Sequence, residues 1–298
     1  MSIISRLFGK KETVFENGLV ANNQIDNPLS LQVLFSGIFD LDNTELGHSF
    51  RSYHPSLSDA KFEIDEELKN NGTPIGMIGW NKHVIQVVGF DQPMPSESLE
   101  SCITPSHYAQ DLKDRARAHE SHLILYYKGY DSNPINQYAS MALVAGFLSR
   151  VGAIVITNES ALTSFPAKAL CGDEVDGDIV ELLGTLPLPV LFCGFVKYEI
   201  EGINGVWLRT YGAPQLGLAD MASLVEDHSF SQNILDIFNN VFCYLLKSGA
   251  QFSEGNTMQV GDDVYMKLRL PSDTEYFLVS EHGLFVAEFI SEMEINQC

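Results

Sequence analysis

The feature that most constrains this fold is a helical segment, residues 135–151, that is apolar nearly all the way round. Its apolar side chains are Ile135, Tyr138, Met141, Leu143, Val144, Phe147 and Leu148. A helix with apolar residues on every face is stable in water only when it is buried inside a globular protein. The segment is too short, and too often interrupted by polar residues, to cross a membrane. The chain must therefore build other layers of structure around this helix.

Strands are predicted on both sides of the helix. Residues 122–128 (HLILYYK) and 153–157 (AIVIT) are short runs rich in aliphatic, aromatic and β-branched residues. Residues 131–134 (DSNP) offer N-cap side chains and a proline suited to the first helical turn. Gly152 is placed to end the helix in the left-handed conformation. The sequence therefore predicts a strand, a buried helix and a second strand in succession.

A similar layout returns about one hundred residues later. Residues 227–229 (DHS) can cap a helix over 230–247, and Gly249 is placed to end it. Two interpretations remain open: an internal duplication of a β/α unit, or two unrelated helices that use the same capping residues.

The order of predicted elements defines the fold class. From residue 31 to residue 128 the order is β-α-β-β-α-β, which is that of a ferredoxin-like fold with helices on one face of an antiparallel sheet. Hairpins are predicted over 189–211 and over 264–280, the second turning at 271–273. We therefore expect an α+β protein of two related sheet-and-helix halves. The expected organisation is a flexible N-terminal segment (1–28), an N-terminal half (29–188) and a C-terminal half (189–298).

Charge and cysteine content narrow the class of function. The chain has 298 residues and a formal net charge of −21. Such an acidic surface repels nucleic acid and anionic membrane, and it attracts basic proteins. The basic segment at residues 1–11 is either a frayed terminus or a weak membrane contact. Five scattered cysteines without paired spacing predict neither a zinc site nor disulfides, so we expect a cytoplasmic protein without metal or cofactor.

An acidic run spans residues 172–178 (GDEVDGD). Its spacing lacks the complete calcium loop of an EF-hand, so a solvated loop is the favoured interpretation. The same loop is also the candidate surface for a basic partner. The candidate partner-binding residues are Asp173, Glu174, Asp176, Asp178 and Glu181.

Residues 210–221 (TYGAPQLGLADM) contain a Thr-x-Gly, a second glycine five residues on, and an acid followed by an aliphatic residue. This pattern resembles a bacterial family known as domain of unknown function 4261, although Asp220 stands where glutamate is more usual. Gly255-Asn256-Thr257, Pro93-Met94-Pro95 and the pair His119 and His122 also resemble the family pattern, so that the resemblance extends over roughly residues 75–290. The family has no established activity, so the resemblance supports a fold and not a function.

Few residues in the chain have the pattern of a catalytic site. Phosphate-loop, dinucleotide-binding, zinc-protease and serine-hydrolase motifs are missing from the sequence. His119 and His122 lack an acidic or cysteine partner at ligand spacing, so a capping or core role is expected for them. The turn formed by Thr210, Gly212, Gly217 and Asp220 is the candidate ligand site, because Thr210 and Asp220 are its polar side chains.

These observations lead to an expectation about function. We expect a non-catalytic acidic protein-binding module, most concretely a bacterial immunity or antitoxin-like protein that neutralises a basic toxin or effector. Two alternatives remain: an enzyme or small-ligand-binding protein with its site near Thr210–Asp220, and an accessory component of a secretion or envelope assembly. The oligomeric state does not follow from the sequence.

Overall fold

The computed structural model describes residues 18–39, 43–65, 75–171, 177–280 and 283–295. The chain divides into two compact units. Met1–Glu159 and Ser164–Thr185 form the first unit, and Ser160–Thr163 and Leu186–Cys298 form the second. A four-residue excursion of the chain thus belongs to the second unit.

The first sheet has seven strands within the described residues, in the order β2-β3-β4-β5-β1-β6-β7. The strands are β1 (Ser30–Phe35), β2 (Lys61–Ile64), β3 (Ile75–Trp80), β4 (His83–Phe90), β5 (Ser121–Tyr127), β6 (Ala153–Asn158) and β7 (Thr163–Pro166). Strands β2 to β5 form an antiparallel meander, and β1 pairs antiparallel with both β5 and β6. The first strand of the chain therefore lies near the middle of the sheet.

Helices cover this sheet. They are α1 (Asn43–Tyr53), α2 (Ser96–Ile103), α3 (Gln110–Arg117), α4 (Pro134–Leu148) and α5 (Ile179–Thr185). Every residue of α4 from Tyr138 to Leu148 is buried, and the helix contacts β1, β4, β5 and β6. The prediction of an all-round buried helix is confirmed. No helix in the described part of the chain is both long and apolar enough to cross a membrane.

The predicted α+β class is confirmed, but the ferredoxin-like order within it is not. Four sequential antiparallel strands, β2 to β5, lie side by side in the observed sheet, and β1 joins beyond β5. A ferredoxin-like sheet would place its first strand between its third and fourth strands. The position of β1 depends on pairing with residues about 90 and 120 positions further along the chain, for which the sequence has no local signal.

The second unit contains a six-stranded sheet, in the order β11-β12-β13-β10-β9-β8. Its strands are β8 (Gly194–Tyr198), β9 (Val206–Tyr211), β10 (Asp220–Val225), β11 (Thr257–Gly261), β12 (Val264–Arg269) and β13 (Leu284–Ile290). Its helices are α6 (Leu188–Leu191), α7 (Ser231–Ser248) and α8 (Glu292–Ile295). Helix α7 buries one apolar face, including Ile234, Phe238 and Phe242.

The predicted hairpin over 264–280 is wrong. Strand β12 pairs with β11 and β13, and Asp273–Leu278 forms a 3₁₀ helix. A capping box at Ser272 and Glu275 stabilises this helix. We refer to residues 270–280 as the β12–β13 segment.

Helices α4 and α7 end alike but connect different positions. Gly152 (φ 104°) follows the short 3₁₀ turn after α4, and Gly249 (φ 69°) ends α7, both in the left-handed conformation. One strand separates β5 from β6, whereas two strands separate β10 from β11. This difference favours shared capping residues over a duplicated unit.

Candidate functional site

The Thr210–Asp220 turn connects β9 to β10. Gly212 (φ 89°) and Gly217 (φ 75°) adopt the left-handed conformation on either side of a 3₁₀ helix, Ala213–Leu216. This conformation strains any residue with a side chain. The structure thus brings the four predicted ligand residues into one turn.

A hydrogen-bond network fixes the turn. Asp220 Oδ1 accepts hydrogen bonds from the Ala213 N–H (3.1 Å) and from the Thr210 hydroxyl (3.2 Å). The Thr210 oxygen in turn accepts the Met221 N–H at 2.8 Å. Thr210 and Asp220 are both buried, so these bonds satisfy groups that water does not reach. The two polar side chains of the turn act as acceptors for its backbone.

Gly212 is also required by the approach of another part of the second unit. A Cβ at Gly212 would lie 2.9 Å from the Ser160 carbonyl oxygen and 3.1 Å from Ala161 Cα. A Cβ at Gly194 would clash with the Ala161 carbonyl oxygen. The two glycines thus accommodate the four-residue excursion Ser160–Thr163.

Burial raises the pKa of Asp220 to about 6, against the opposing effect of the hydrogen bonds from Ala213 and Thr210 and of the Arg209 charge. Burial also raises the pKa of the nearby Cys193 thiol, and Asp220 adds to that effect. Asp220 is therefore a carboxylate with an unusual pKa, but only 4% of it is exposed. Because its oxygen is committed to the turn, the arrangement favours a structural role over general-base catalysis.

Another buried aspartate, Asp131, precedes α4 in the first unit. Its carboxylate accepts the Asn133 N–H (2.9 Å) and the Asn136 amide (3.0 Å), and it forms an ion pair with Lys82 (2.9 Å). Burial opposes ionisation of Asp131, but these donors outweigh it and lower its pKa below the ordinary value. The sequence predicted the cap at 131–134 but did not indicate the lysine.

The imidazole rings of His119 and His122 are held by hydrogen bonds to the backbone. His119 Nε2 accepts the Met94 N–H (2.7 Å), and Nδ1 lies 2.7 Å from the Ala116 carbonyl oxygen. His122 Nδ1 bonds to the Gln92 carbonyl oxygen, and its ring stacks on Phe90. Burial lowers the pKa of both imidazoles. Among the described residues, no group of three or more histidine, cysteine or acidic side chains could hold a metal ion.

Two of the five predicted partner-binding residues, Asp178 and Glu181, lie within the described residues. Asp173, Glu174 and Asp176 lie outside the described residues. Asp178 caps α5 by accepting the Val180 and Glu181 N–H groups, and it lies 3.3 Å from His54 Nε2. These hydrogen bonds lower the pKa of Asp178, and the bond from the Glu181 N–H has the largest effect. Glu181 is exposed.

An acidic concavity in the second unit was missed by the sequence analysis. It has a volume of about 520 Å³, and its lining includes four acids, Glu199, Glu201, Glu226 and Asp227, together with His228. Its acids come from the loop after β8 and the loop after β10. Both strands run antiparallel to β9, so these loops emerge at the same end of the sheet. The strand order, which the sequence does not provide, is what brings these acids together.

Few groups compensate the charge of this acidic concavity. His228 Nε2 lies 3.3 Å from Glu199 Oε1, and the Asp227 carboxylate caps the Ser229 N–H. Within the described residues, the four acids form no ion pair with lysine or arginine. The concavity is therefore a site of net negative charge.

Residues 209–279 match the model of a family described as Domain of unknown function (DUF4261). The resemblance inferred from the Thr210–Asp220 pattern is confirmed over this range. The match begins at Arg209, whose guanidinium bonds to the carbonyl oxygen of Val279, the last matched residue. Comparison with curated proteins found no match. Comparison with solved structures found none either.

Proposed function

We propose that this protein is a non-catalytic acidic protein-binding module of the bacterial cytoplasm, of the immunity or antitoxin type, that neutralises a basic toxin or effector. The observation that carries the proposal is the acidic concavity, whose four carboxylates lack lysine or arginine partners among the described residues. A basic protein segment would supply the missing cations. The chain as a whole has 39 acidic and 18 basic residues, which adds long-range attraction to such a partner.

An enzymatic or small-ligand role at the Thr210–Asp220 turn has weaker support. Asp220 has a raised pKa of about 6, which is a property of many catalytic carboxyls. Its Oδ1 atom, however, accepts hydrogen bonds from Ala213 and Thr210, and the side chain is buried. A substrate would have to displace the bonds that hold the turn.

Affinity capture with tagged protein from bacterial lysate, at low and high salt and followed by mass spectrometry, tests the proposal. We expect a stoichiometric basic partner that is lost at high salt, because exposed charges are screened beyond roughly 10 Å at 0.1 M salt. Failure to capture a protein at either salt concentration would contradict the proposal.

Charge reversal locates the surface. The triple variant Glu199→Lys, Glu201→Lys and Glu226→Lys should slow association with the captured partner and weaken binding at least about tenfold. The matched control reverses three exposed acids elsewhere, Glu97, Glu120 and Glu254, with the same change in net charge. Equal loss in both triple variants would show that net charge, and not the acidic concavity, determines binding.

A further inference from the structure

Three hydrogen-bond donors on β8 and β9 lack an acceptor among the described residues. They are the Trp207 indole N–H, the Arg209 Nε–H and the Tyr198 hydroxyl proton. Trp207 and Arg209 are 2% and 3% exposed, so water on the surface does not reach them. Buried donors in folded proteins are nearly always paired. Three such donors in one place require a common explanation.

Sheet geometry places the donors together. Trp207 and Arg209 are two residues apart on β9 and therefore lie on the same face of the sheet. Tyr198 is directly opposite Trp207 on β8. Burial raises the pKa of Tyr198 to about 12, against the opposing effect of the neighbouring Arg209, whose guanidinium is close enough to interact with the phenol oxygen. The phenol keeps its proton at physiological pH and remains a donor. The donors thus converge on one patch of this face.

Phe277 of the β12–β13 segment is the common neighbour of all three donor residues. Its ring centroid lies 5.6 Å from that of Trp207 and 6.3 Å from that of Tyr198. Its carbonyl oxygen accepts a hydrogen bond from Arg209 Nη1 at 3.4 Å. Phe277 therefore contributes an aromatic ring and one acceptor oxygen to this patch, and it leaves the remaining donors unpaired.

We propose that Tyr198, Trp207 and Arg209 form a binding site for an aromatic carboxylate, which competes with Phe277 for this place. A carboxylate is an acceptor without donors, so its two oxygens suit the unpaired donors of this patch. An aromatic ring attached to it would take over the edge-to-face contacts that Phe277 makes with Trp207 and Tyr198.

The charge of Arg209 supports this choice of ligand. Its guanidinium lies 4.2 Å from the centroid of the Tyr211 ring and bonds to two backbone carbonyls, those of Phe277 and Val279. No carboxylate within the described residues forms an ion pair with it. Asp220 is close enough for their charges to interact, but its Oδ1 is bonded to Ala213 and Thr210. A buried arginine in this state binds a carboxylate favourably.

The position of Phe277 on its segment makes displacement feasible. Phe277 is only partly buried, and its neighbours Tyr276 and Val279 are each 75% exposed. Leu278 is fully buried and Glu275 forms an ion pair with Arg269, so the rest of the segment stays anchored when Phe277 moves. The proposed site does not depend on partner binding at the acidic concavity.

Tryptophan fluorescence provides a direct test. The chain has two tryptophans, so Trp80→Phe leaves Trp207 as the single reporter. We expect titration of this variant with benzoate to change the Trp207 emission saturably and to raise Tm. Benzyl alcohol, which has the ring without the charge, should do neither, and acetate should bind more weakly than benzoate. N-acetylphenylalanine tests whether the site accepts a peptide C-terminus in place of a small molecule.

Single substitutions assign the site to its residues. Phe277→Ala should tighten benzoate binding about tenfold or more, because the competing side chain is removed. Tyr198→Phe, made in the Trp80→Phe background, keeps the ring, removes one donor and should weaken binding about tenfold. Trp207→Phe should also weaken benzoate binding about tenfold, as measured by the ligand-induced rise in Tm. Trp80→Phe is the matched control and should leave benzoate binding unchanged.

Three results would overturn the proposal. The first is failure of both benzoate and N-acetylphenylalanine to change emission or Tm in the Trp80→Phe protein. The second is equal binding of benzyl alcohol and benzoate, which would identify an apolar gap and not a carboxylate site. The third is unchanged affinity in Tyr198→Phe and Trp207→Phe. None of the three requires the Phe277→Ala variant to fold.

Discussion

Asp131 and Asp220 are two aspartates with similarly low solvent exposure, 5% and 4%, and each holds a backbone turn. The pKa of Asp131 is lowered, whereas that of Asp220 is raised to about 6. Asp131 has a lysine within 2.9 Å, and its carboxylate also accepts from Asn133 and Asn136. The donors to Asp220 are all neutral, the Thr210 hydroxyl and the Ala213 and Gly212 N–H groups, and its arginine acts only at a distance. Low solvent exposure alone therefore does not determine the charge state of a turn aspartate. Asp220 lies deeper in the protein and loses more hydration, whereas the lysine beside Asp131 offsets a smaller loss.

The largest expected effect is the pH dependence of stability due to Asp220. Between its ordinary pKa of 3.8 and its folded value of about 6, the folded state binds more protons than the unfolded state. The contribution of Asp220 to stability therefore falls as pH rises through this window, by about 3 kcal/mol in total. Asp220→Asn keeps an acceptor for Ala213 but removes the titration.

Urea unfolding of wild type and Asp220→Asn from pH 4 to pH 8 measures this effect. The variant should gain on wild type as pH rises, because wild type then carries a buried charge. Asp262→Asn, at an exposed site, serves as control. If the unfolding free energies of wild type and Asp220→Asn changed with pH in parallel, Asp220 would have the same pKa in the folded and unfolded states.

The same substitution at Asp131 should change the stability of the protein at pH 7 in the opposite direction. Asp131→Asn weakens the charge-assisted bonds from Asn133 and Lys82 and should destabilise the protein by about 2 kcal/mol at pH 7. Because the folded pKa is lowered, this stabilisation is present above the ordinary pKa and is lost as pH falls through the folded pKa. Chemical unfolding at pH 7 and pH 3 measures both parts, with exposed Asp59→Asn as control. A stabilised Asp131→Asn would refute the contrast.

Removal of the Thr210 hydroxyl tests how much one neutral donor contributes to the pKa of Asp220. Thr210→Val leaves the Met221 N–H without its acceptor and removes a donor to Asp220. We expect destabilisation by about 1.5 kcal/mol and a further rise in the pKa of Asp220. Denaturation and an NMR titration of the Asp220 carboxyl measure the two effects, and Thr257→Val, at an exposed strand position, is the control. An unchanged pKa would show that Thr210 does not influence Asp220.

The smallest effect is expected from Lys82→Met. The Lys82 side chain is 57% exposed, so loss of its ion pair should cost about 0.5 kcal/mol. The pKa of Asp131 should nevertheless rise, because one of the groups that lower it is removed. An NMR titration of Asp131 measures this shift, with exposed Lys61→Met as control. If the pKa stays low, the Asn133 and Asn136 donors account for the difference from Asp220 without the lysine.

Local sequence patterns predicted the elements of this fold well. The helix predicted over 135–151 is observed as α4, and the helix predicted over 230–247 is observed as α7. Apolar periodicity and capping residues act over a few positions, so a single sequence displays them. The placement of β1 between β5 and β6 depends on long-range pairing and could not be predicted in this way.

The candidate sites show the same difference between residues that are close in sequence and residues that only folding brings together. Thr210, Gly212, Gly217 and Asp220 lie within eleven residues and were recognised as a group. The acidic concavity assembles Glu199 and Glu226 from two loops, and the aromatic patch assembles Tyr198, Trp207 and Phe277 from three segments. Lys82 is 49 positions from Asp131, its ion-pair partner. Strand pairing and loop packing create these contacts, and spacing in the sequence does not reveal them.

The excursion at Ser160–Thr163 has a consequence for protein engineering. A gene fragment that begins at Leu186 would encode the second unit without the backbone against which Gly194 and Gly212 pack. Such a fragment would expose two glycine-lined gaps and lose part of its core. A fragment that keeps this packing needs residues 160–163 joined ahead of residue 186 through a short linker. The second unit is therefore compact in three dimensions although its residues are not contiguous in the sequence.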